Sequence, residues 1–301
     1  MKYYESDGAR LAYDHSSYED LSPETGEGVA VVFLHPTPLD HDYWRPVIER
    51  LNGVRAIVPD LRGHGASELG ARLAVGGFAE APDAPVLTME RLGADVVALL
   101  DSVGLESAYF VGCSIGGYVL MELVRRAPER MKGLAFVCSK AQPDAAVNRA
   151  KRKANIEQVR AEGTERLFDG MMQTLIGATA RSARPEIVGE LRARMTITAE
   201  AAVAVQAGLA VRPDSVPDIS RIKVPVLAIA GGEDAGVTAA EMEAFKSAPG
   251  GCEFHVIADG GHFAAYEKPD EVAGIFSSWL WRQKARSASH TSGNFTVRVE
   301  Y

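Results

Sequence analysis

Ala108-Tyr109-Phe110-Val111-Gly112-Cys113-Ser114-Ile115-Gly116-Gly117 starts as an unbroken apolar run and ends in a serine framed by glycines. The run over residues 108–111 predicts a strand buried on both faces, because no polar residue alternates with the apolar ones. A helical pattern follows over 118–126 and stops at Ala127-Pro128. Strand, turn and helix can succeed each other this abruptly only if the two backbones approach closely. Glycine at 112 and at 116 permits that approach and leaves the Ser114 hydroxyl exposed at a helix start.

The same strand signal recurs on both sides of this segment. Residues 29–34 form an apolar run ending in His35-Pro36-Thr37-Pro38, and 54–58 a second ending in Pro59-Asp60-Leu61-Arg62-Gly63-His64-Gly65. Further runs lie at 133–138, 224–230 and 254–257. Between them, residues 88–103 place Met89, Leu92, Val96, Val97, Leu99 and Leu100 at helical spacing. Alternating strands and helices with short connections require a mostly parallel sheet, so the fold class is α/β. The chain opens with a hairpin around Ser6-Asp7-Gly8, followed by a polar linker over 18–28.

From residue 141 to 218 the pattern turns purely helical, with helices expected at 148–162, 164–175, 185–195 and 199–209. The two prolines of Arg212-Pro213-Asp214-Ser215-Val216-Pro217-Asp218 return the chain to the sheet. The expected organisation is a core of 1–140 and 219–282, an inserted helical cap of 141–218 over the strand ends, and a tail of 283–301. The tail is polar to Asn294 and then alternates through Phe295, Val297, Val299 and Tyr301, which reads as an arm ending in an edge strand. Such a strand would add to a neighbour's sheet, so the oligomeric state stays open between monomer and homodimer.

Composition narrows the partners. Against 32 basic residues stand 40 acidic ones, a net charge of -8, and no basic block interleaved with aromatics is present, so nucleic acid is not an expected partner. No apolar stretch is long enough to span a bilayer, and Met1-Lys2-Tyr3-Tyr4-Glu5 lacks the apolar core of a signal peptide. A cytoplasmic protein without membrane partners is the expectation. Cys113, Cys138 and Cys252 cannot all pair with one another and have no zinc-ligand spacing, so reduced thiols and no metal are expected. The sequon Asn294-Phe295-Thr296 would matter only in a secreted chain.

Two more segments follow strands and carry chemistry: Gly231-Gly232-Glu233-Asp234 and Gly260-Gly261-His262-Phe263. A serine hydroxyl is a weak nucleophile at neutral pH and needs a base within hydrogen-bond reach. His262, after a strand and a Gly-Gly turn, is the chosen base, with His64 next in rank; His15, His41, His255 and His290 read as structural. Asp234 is the acid expected to hold the second imidazole nitrogen, Glu233 its nearest competitor. An oxyanion developing on the substrate needs backbone donors. Ile115, at the helix start, supplies one. In Pro36-Thr37-Pro38 only Thr37 has an N–H, so it supplies the other, and whether either prolyl bond is cis is not legible.

These motifs, in the order His35-Pro36, Asp60-Leu61-Arg62-Gly63-His64-Gly65-Ala66-Ser67, Gly112 to Gly117, Asp234 and His262, resemble the α/β-hydrolase superfamily over roughly residues 9–281. Within it, the stretch from Arg212 to Gly231 is similar to the region closing the cap in 3-oxoadipate enol-lactonases and cofactor-free haloperoxidase-like esterases. The resemblance implies an eight-stranded, mostly parallel sheet flanked by helices, and no cofactor. Serine as nucleophile separates the chain from the dehalogenase and epoxide hydrolase branches, which use aspartate there.

The function expected is hydrolysis of a small carboxylic ester or lactone through an acyl-enzyme, with thioester and carbon-carbon bond hydrolysis as alternatives on the same groups. A small-molecule receptor on this fold is the alternative of a different class. His35, Tyr43, Trp44, Met171, Met172 and Phe263 are the candidate pocket residues and suggest a mainly apolar substrate, although the methionine pair also reads as cap core.

Overall fold

The computed structural model describes residues 1–16, 28–71 and 73–292. The polar linker, apart from Gly28, lies outside them, as do Asn294-Phe295-Thr296 and the alternating segment 295–301. The described strands are β1 (Lys2–Ser6), β2 (Ala9–Ser16), β3 (Val29–Leu34), β4 (Val54–Pro59), β5 (Ala108–Cys113), β6 (Met131–Val137), β7 (Val226–Gly231) and β8 (Cys252–Ile257). They form one sheet in the order β1-β2-β4-β3-β5-β6-β7-β8. β2 alone runs against its neighbours; the other adjacent strands from β4 to β8 pair parallel. The parallel register aligns Phe33, Val111, Ala135 and Leu227 across the sheet.

The apolar runs of β3 to β7 are largely buried on both faces, whereas the run at 254–257 falls on the edge strand β8, where Val256 is exposed. Val31 and Phe33 join one core layer, while Val32 and Leu34 join the other. Helices α1 (Arg45–Ile48), α2 (Met89–Ser102) and α3 (Ile115–Arg126) precede or follow the first parallel strands. Thr88 caps α2 by accepting from the Arg91 N–H, a bond that satisfies one of the orphan donors of a helix start. On the opposite face, Phe33 lies 5.5 Å from Trp44 and 5.9 Å from Phe276, contacts each contributing about 0.5–1.5 kcal/mol beyond burial.

Between β6 and β7 the described residues hold five helices: α4 (Ala146–Glu162), α5 (Glu165–Leu175), α6 (Ala178–Ala183), α7 (Glu186–Ala193) and α8 (Ala199–Ala210). α6, at six residues, is too short for a helical period to register in the sequence. After β7 come α9 (Ala239–Met242), α10 (Ala264–Glu267) and α11 (Pro269–Ser292). α11 overturns part of the expected arm by running through residues 283–292. Its buried side, with Val272, Phe276, Trp279, Leu280 and Gln283, anchors it, and Gln283, Lys284, Ala285 and Arg286 are good helix formers. Among the described residues no helix is long and apolar enough to cross a membrane.

Candidate active site

Ser114, Asp234 and His262 follow β5, β7 and β8, so all three stand beyond the carboxyl ends of parallel strands, where open α/β sheets leave a crevice. Ser114 has φ 52° and ψ −117°, a region costing a non-glycine residue about 1–3 kcal/mol. Its carbonyl accepts from the Gly117 and Tyr118 N–H groups and from the Ser139 hydroxyl, which hold the turn. A Cβ at Gly112 would sit 2.5 Å from the Gly116 carbonyl carbon, and one at Gly116 2.4 Å from the Leu34 oxygen. Glycine at both positions is a consequence of backbone contact. Ile115 is the first residue of α3, and its N–H has no acceptor within the helix.

His262 Nδ1 lies 2.8 Å from Asp234 Oδ2. Asp234 Oδ1 accepts from the Gly236 and Val237 N–H groups at 2.7 and 3.0 Å, which orients the carboxylate toward the imidazole. A carboxylate only accepts, so His262 Nδ1 is the donor of this pair. Glu233, the competing acid, is turned to the helical insert, where it accepts from the Thr179 N–H and hydroxyl. The insert also holds His262 directly, since its backbone N–H donates to the Leu175 carbonyl at 2.8 Å. Buried Glu267 accepts from the Gly177, Gly261 and Phe263 N–H groups, joining insert and histidine loop. This residue went unnoticed in the sequence; a glutamate shortly after Gly-Gly-His is the only signal it leaves.

Thr37 stands between its prolines with a cis Thr37-Pro38 bond. Its hydroxyl donates to His64 Nε2 at 2.9 Å, because His64 Nδ1 donates to the Arg62 carbonyl at 3.0 Å. His64 is thus a neutral prop. His35 is arranged likewise, accepting from the Leu61 N–H and donating to the Pro36 carbonyl. Burial, with the neighbouring His64 adding to it, pushes His35 down to about 3, and burial lowers His64 too.

Thr37, Ser114 and His262 line one cavity of about 290 Å³. Of the six residues proposed for the pocket, only Met171 lines it. His35, Tyr43, Trp44, Met172 and Phe263 are buried in the core instead. Tyr43 packs edge-on to Trp44, its hydroxyl 3.2 Å from Cys113 Sγ, and burial drives that phenol well above its usual range. Tyr43, Trp44, Met172 and Phe263 belong to one apolar core cluster, and sequence alone carries no information about which side of a loop or helix faces the cavity. The lining also overturns the expected apolar character. Leu167, Leu175 and Val237 contribute, but so do Lys140, Lys151, Arg152 and Arg212. Burial raises the Cys113 and Cys138 thiols, which suits packing groups. Among the described residues no cluster of histidine, cysteine or acidic side chains is arranged to hold a metal ion.

The model of the Alpha/beta hydrolase family matches residues 31–275. The chain belongs to the alpha/beta hydrolase family. This alpha/beta hydrolase is 28% identical over 255 residues to a 2-succinyl-6-hydroxy-2,4-cyclohexadiene-1-carboxylate synthase of Salmonella paratyphi A, covering 83% of this chain and 91% of that one. It is 26% identical over 261 residues to 3-oxoadipate enol-lactonase 1 of Acinetobacter baylyi, covering 83% and 88%. A thermophilic esterase from Thermogutta terrifontis superposes with a TM-score of 0.82 at 28% identity, over 94% of this chain and 99% of the esterase. Proteins similar to this one thus include an esterase and an enol-lactonase, the enzyme type expected from its sequence, beside a synthase.

Proposed function

We propose that this alpha/beta hydrolase cleaves a small carboxylic ester or lactone, with Ser114 as nucleophile, His262 as general base and Asp234 as the group that holds and charges-balances the imidazole. The observation that carries this reading is the 2.8 Å His262–Asp234 pair on the strand ends that also bear the strained Ser114 turn, with serine and histidine lining one cavity. Esterase and enol-lactonase relatives support it.

In this mechanism Ser114 Oγ attacks the acyl carbon while its proton passes to His262 Nε2. Asp234 stabilises the imidazolium that forms. The Thr37 and Ile115 N–H groups receive the negative charge on the carbonyl oxygen. Collapse expels the alcohol, protonated by His262, and leaves an acyl ester on Ser114. Water then gives its proton to His262 and attacks that ester, releasing the acid.

Proton release at constant pH from short and long acyl esters and five- and six-membered lactones, in wild type and Ser114→Ala, tests the reading. Release confined to the wild type is expected. Equal release by the variant would sink serine catalysis. A second reading, non-hydrolytic chemistry on the same groups, draws on the identity to a synthase; product analysis by NMR separates it from hydrolysis.

A further inference from the structure

The cavity beside Ser114 is charged in a way that ester hydrolysis alone does not require. Lys140, Lys151, Arg152 and Arg212 line it against a single carboxylate, Asp144. Asp144 bridges the two guanidinium groups, accepting from Arg212 Nη1 at 2.5 Å and from Arg152 Nε at 3.1 Å. One negative charge cannot balance two. Lys140 is paired with Glu241, which lies off the lining. Among the described residues the Arg152–Asp144–Arg212 cluster and Lys151 each leave one positive charge, against one further carboxylate, Asp234, which is paired with His262.

The cluster is built and held. The Arg212 side chain is 3% exposed, lies 4.5 Å from the centre of the Tyr118 ring and donates to the Leu209 and Gln142 carbonyls. Its Nε is nonetheless buried without an acceptor, an unfavourable state that calls for a reason. Arg152 is held through Nη1 by Gln206 and stays 24% exposed. Tyr118 is one helical turn beyond Ser114, and both line the cavity that the cations line.

We infer that the substrate carries a carboxylate away from the scissile bond, received by Arg152 and Lys151 with Arg212 behind them. This deepens the ester and lactone reading and rests on it for the reacting group. Guanidinium groups match carboxylate and phosphate alike through paired N–H donors. The cavity, at about 290 Å³, lies at the small end of ligand sites and suits a short carboxylate-bearing acyl chain.

The test compares mono-4-nitrophenyl glutarate with 4-nitrophenyl pentanoate, which differ by a carboxylate against a methyl group. The wild type is expected to favour the charged ester in kcat/KM by about tenfold or more, the low end for a charge-assisted hydrogen bond. Arg152→Gln is expected to lower that ratio about tenfold, and Lys151→Gln, at an exposed position, severalfold. In parallel, calorimetry with Ser114→Ala measures binding of glutarate, glutaramide and inorganic phosphate, with glutarate expected tightest. Equal or better cleavage of the pentanoate ester overturns the inference and leaves serine hydrolysis standing. Both esters inert, with glutarate binding weakened by Arg152→Gln, supports the anion site while removing the hydrolytic reading. Phosphate bound more tightly than glutarate overturns the carboxylate assignment.

Discussion

The His262 backbone N–H donates to the Leu175 carbonyl at 2.8 Å, tying the imidazole that pairs with Asp234 to the last residue of α5. Glu267 reinforces the tie by accepting N–H bonds from Gly177 on one side and Gly261 and Phe263 on the other. The histidine loop is therefore positioned by the helical insert as much as by β8.

Glu267→Gln tests this linkage. An amide has one acceptor oxygen where the carboxylate has two, so an NH2 group must face an N–H donor. The loss of buried bonds should cost about 1–3 kcal/mol in stability. Steady-state kinetics should give a kcat lower by about tenfold with KM little changed, because the histidine is misplaced while the Arg152 side of the cavity is untouched. A change confined to KM would argue against a positioning role for Glu267.

The Thr37 hydroxyl donates to His64, which fixes the only N–H donor within Pro36-Thr37-Pro38. Thr37→Val keeps the shape and removes that bond, leaving buried His64 Nε2 without a donor at a cost of about 1–3 kcal/mol. A severalfold fall in kcat is expected, with Thr37→Ser restoring it. If valine and serine behaved alike, the hydroxyl would have no part in placing the loop.

His35 and His64 link stability to pH. Burial lowers both, His35 to about 3, against an unfolded value of 6.5. Between those values the unfolded chain binds the extra proton. Stability contributed by keeping each ring neutral is thus complete above pH 6.5 and is lost as pH falls toward 3 for His35. The slope is at most about 1.4 kcal/mol per pH unit per histidine. Urea midpoints from pH 7.5 to 5 should fall more steeply for the wild type than for His64→Gln; parallel slopes would contradict this account.

Gly116→Ala would put a methyl carbon 2.4 Å from the Leu34 oxygen, a contact with backbone on a central strand. Overpacking of this kind typically costs about 1–3 kcal/mol. Thermal unfolding should register a lower midpoint, and kcat should drop as α3 moves relative to Thr37. An unaltered midpoint would mean that the β5–α3 turn is not held against β3.

Local chemistry settled much of this protein before any coordinate. Apolar runs at β3, β5 and β7, and runs broken by one basic residue at β4 and β6, dictate strands buried on both faces, and alternation with α2 and α3 dictates a parallel sheet, since each signal depends only on neighbouring residues. Glycines around Ser114 and a histidine after Gly260-Gly261 were legible for the same reason. Polar residues after Trp281 were misleading because a polar stretch of good helix formers and an arm share one composition. Tertiary structure decided what local pattern cannot encode. It turned Tyr43, Trp44 and Phe263 into the core, gave Glu233 to Thr179 and Asp234 to His262, and gathered Lys140, Arg152 and Arg212 from three separate segments around one cavity. Which side of a loop faces a cavity, and which charges meet there, depends on how distant elements pack, and no spacing along the chain records it.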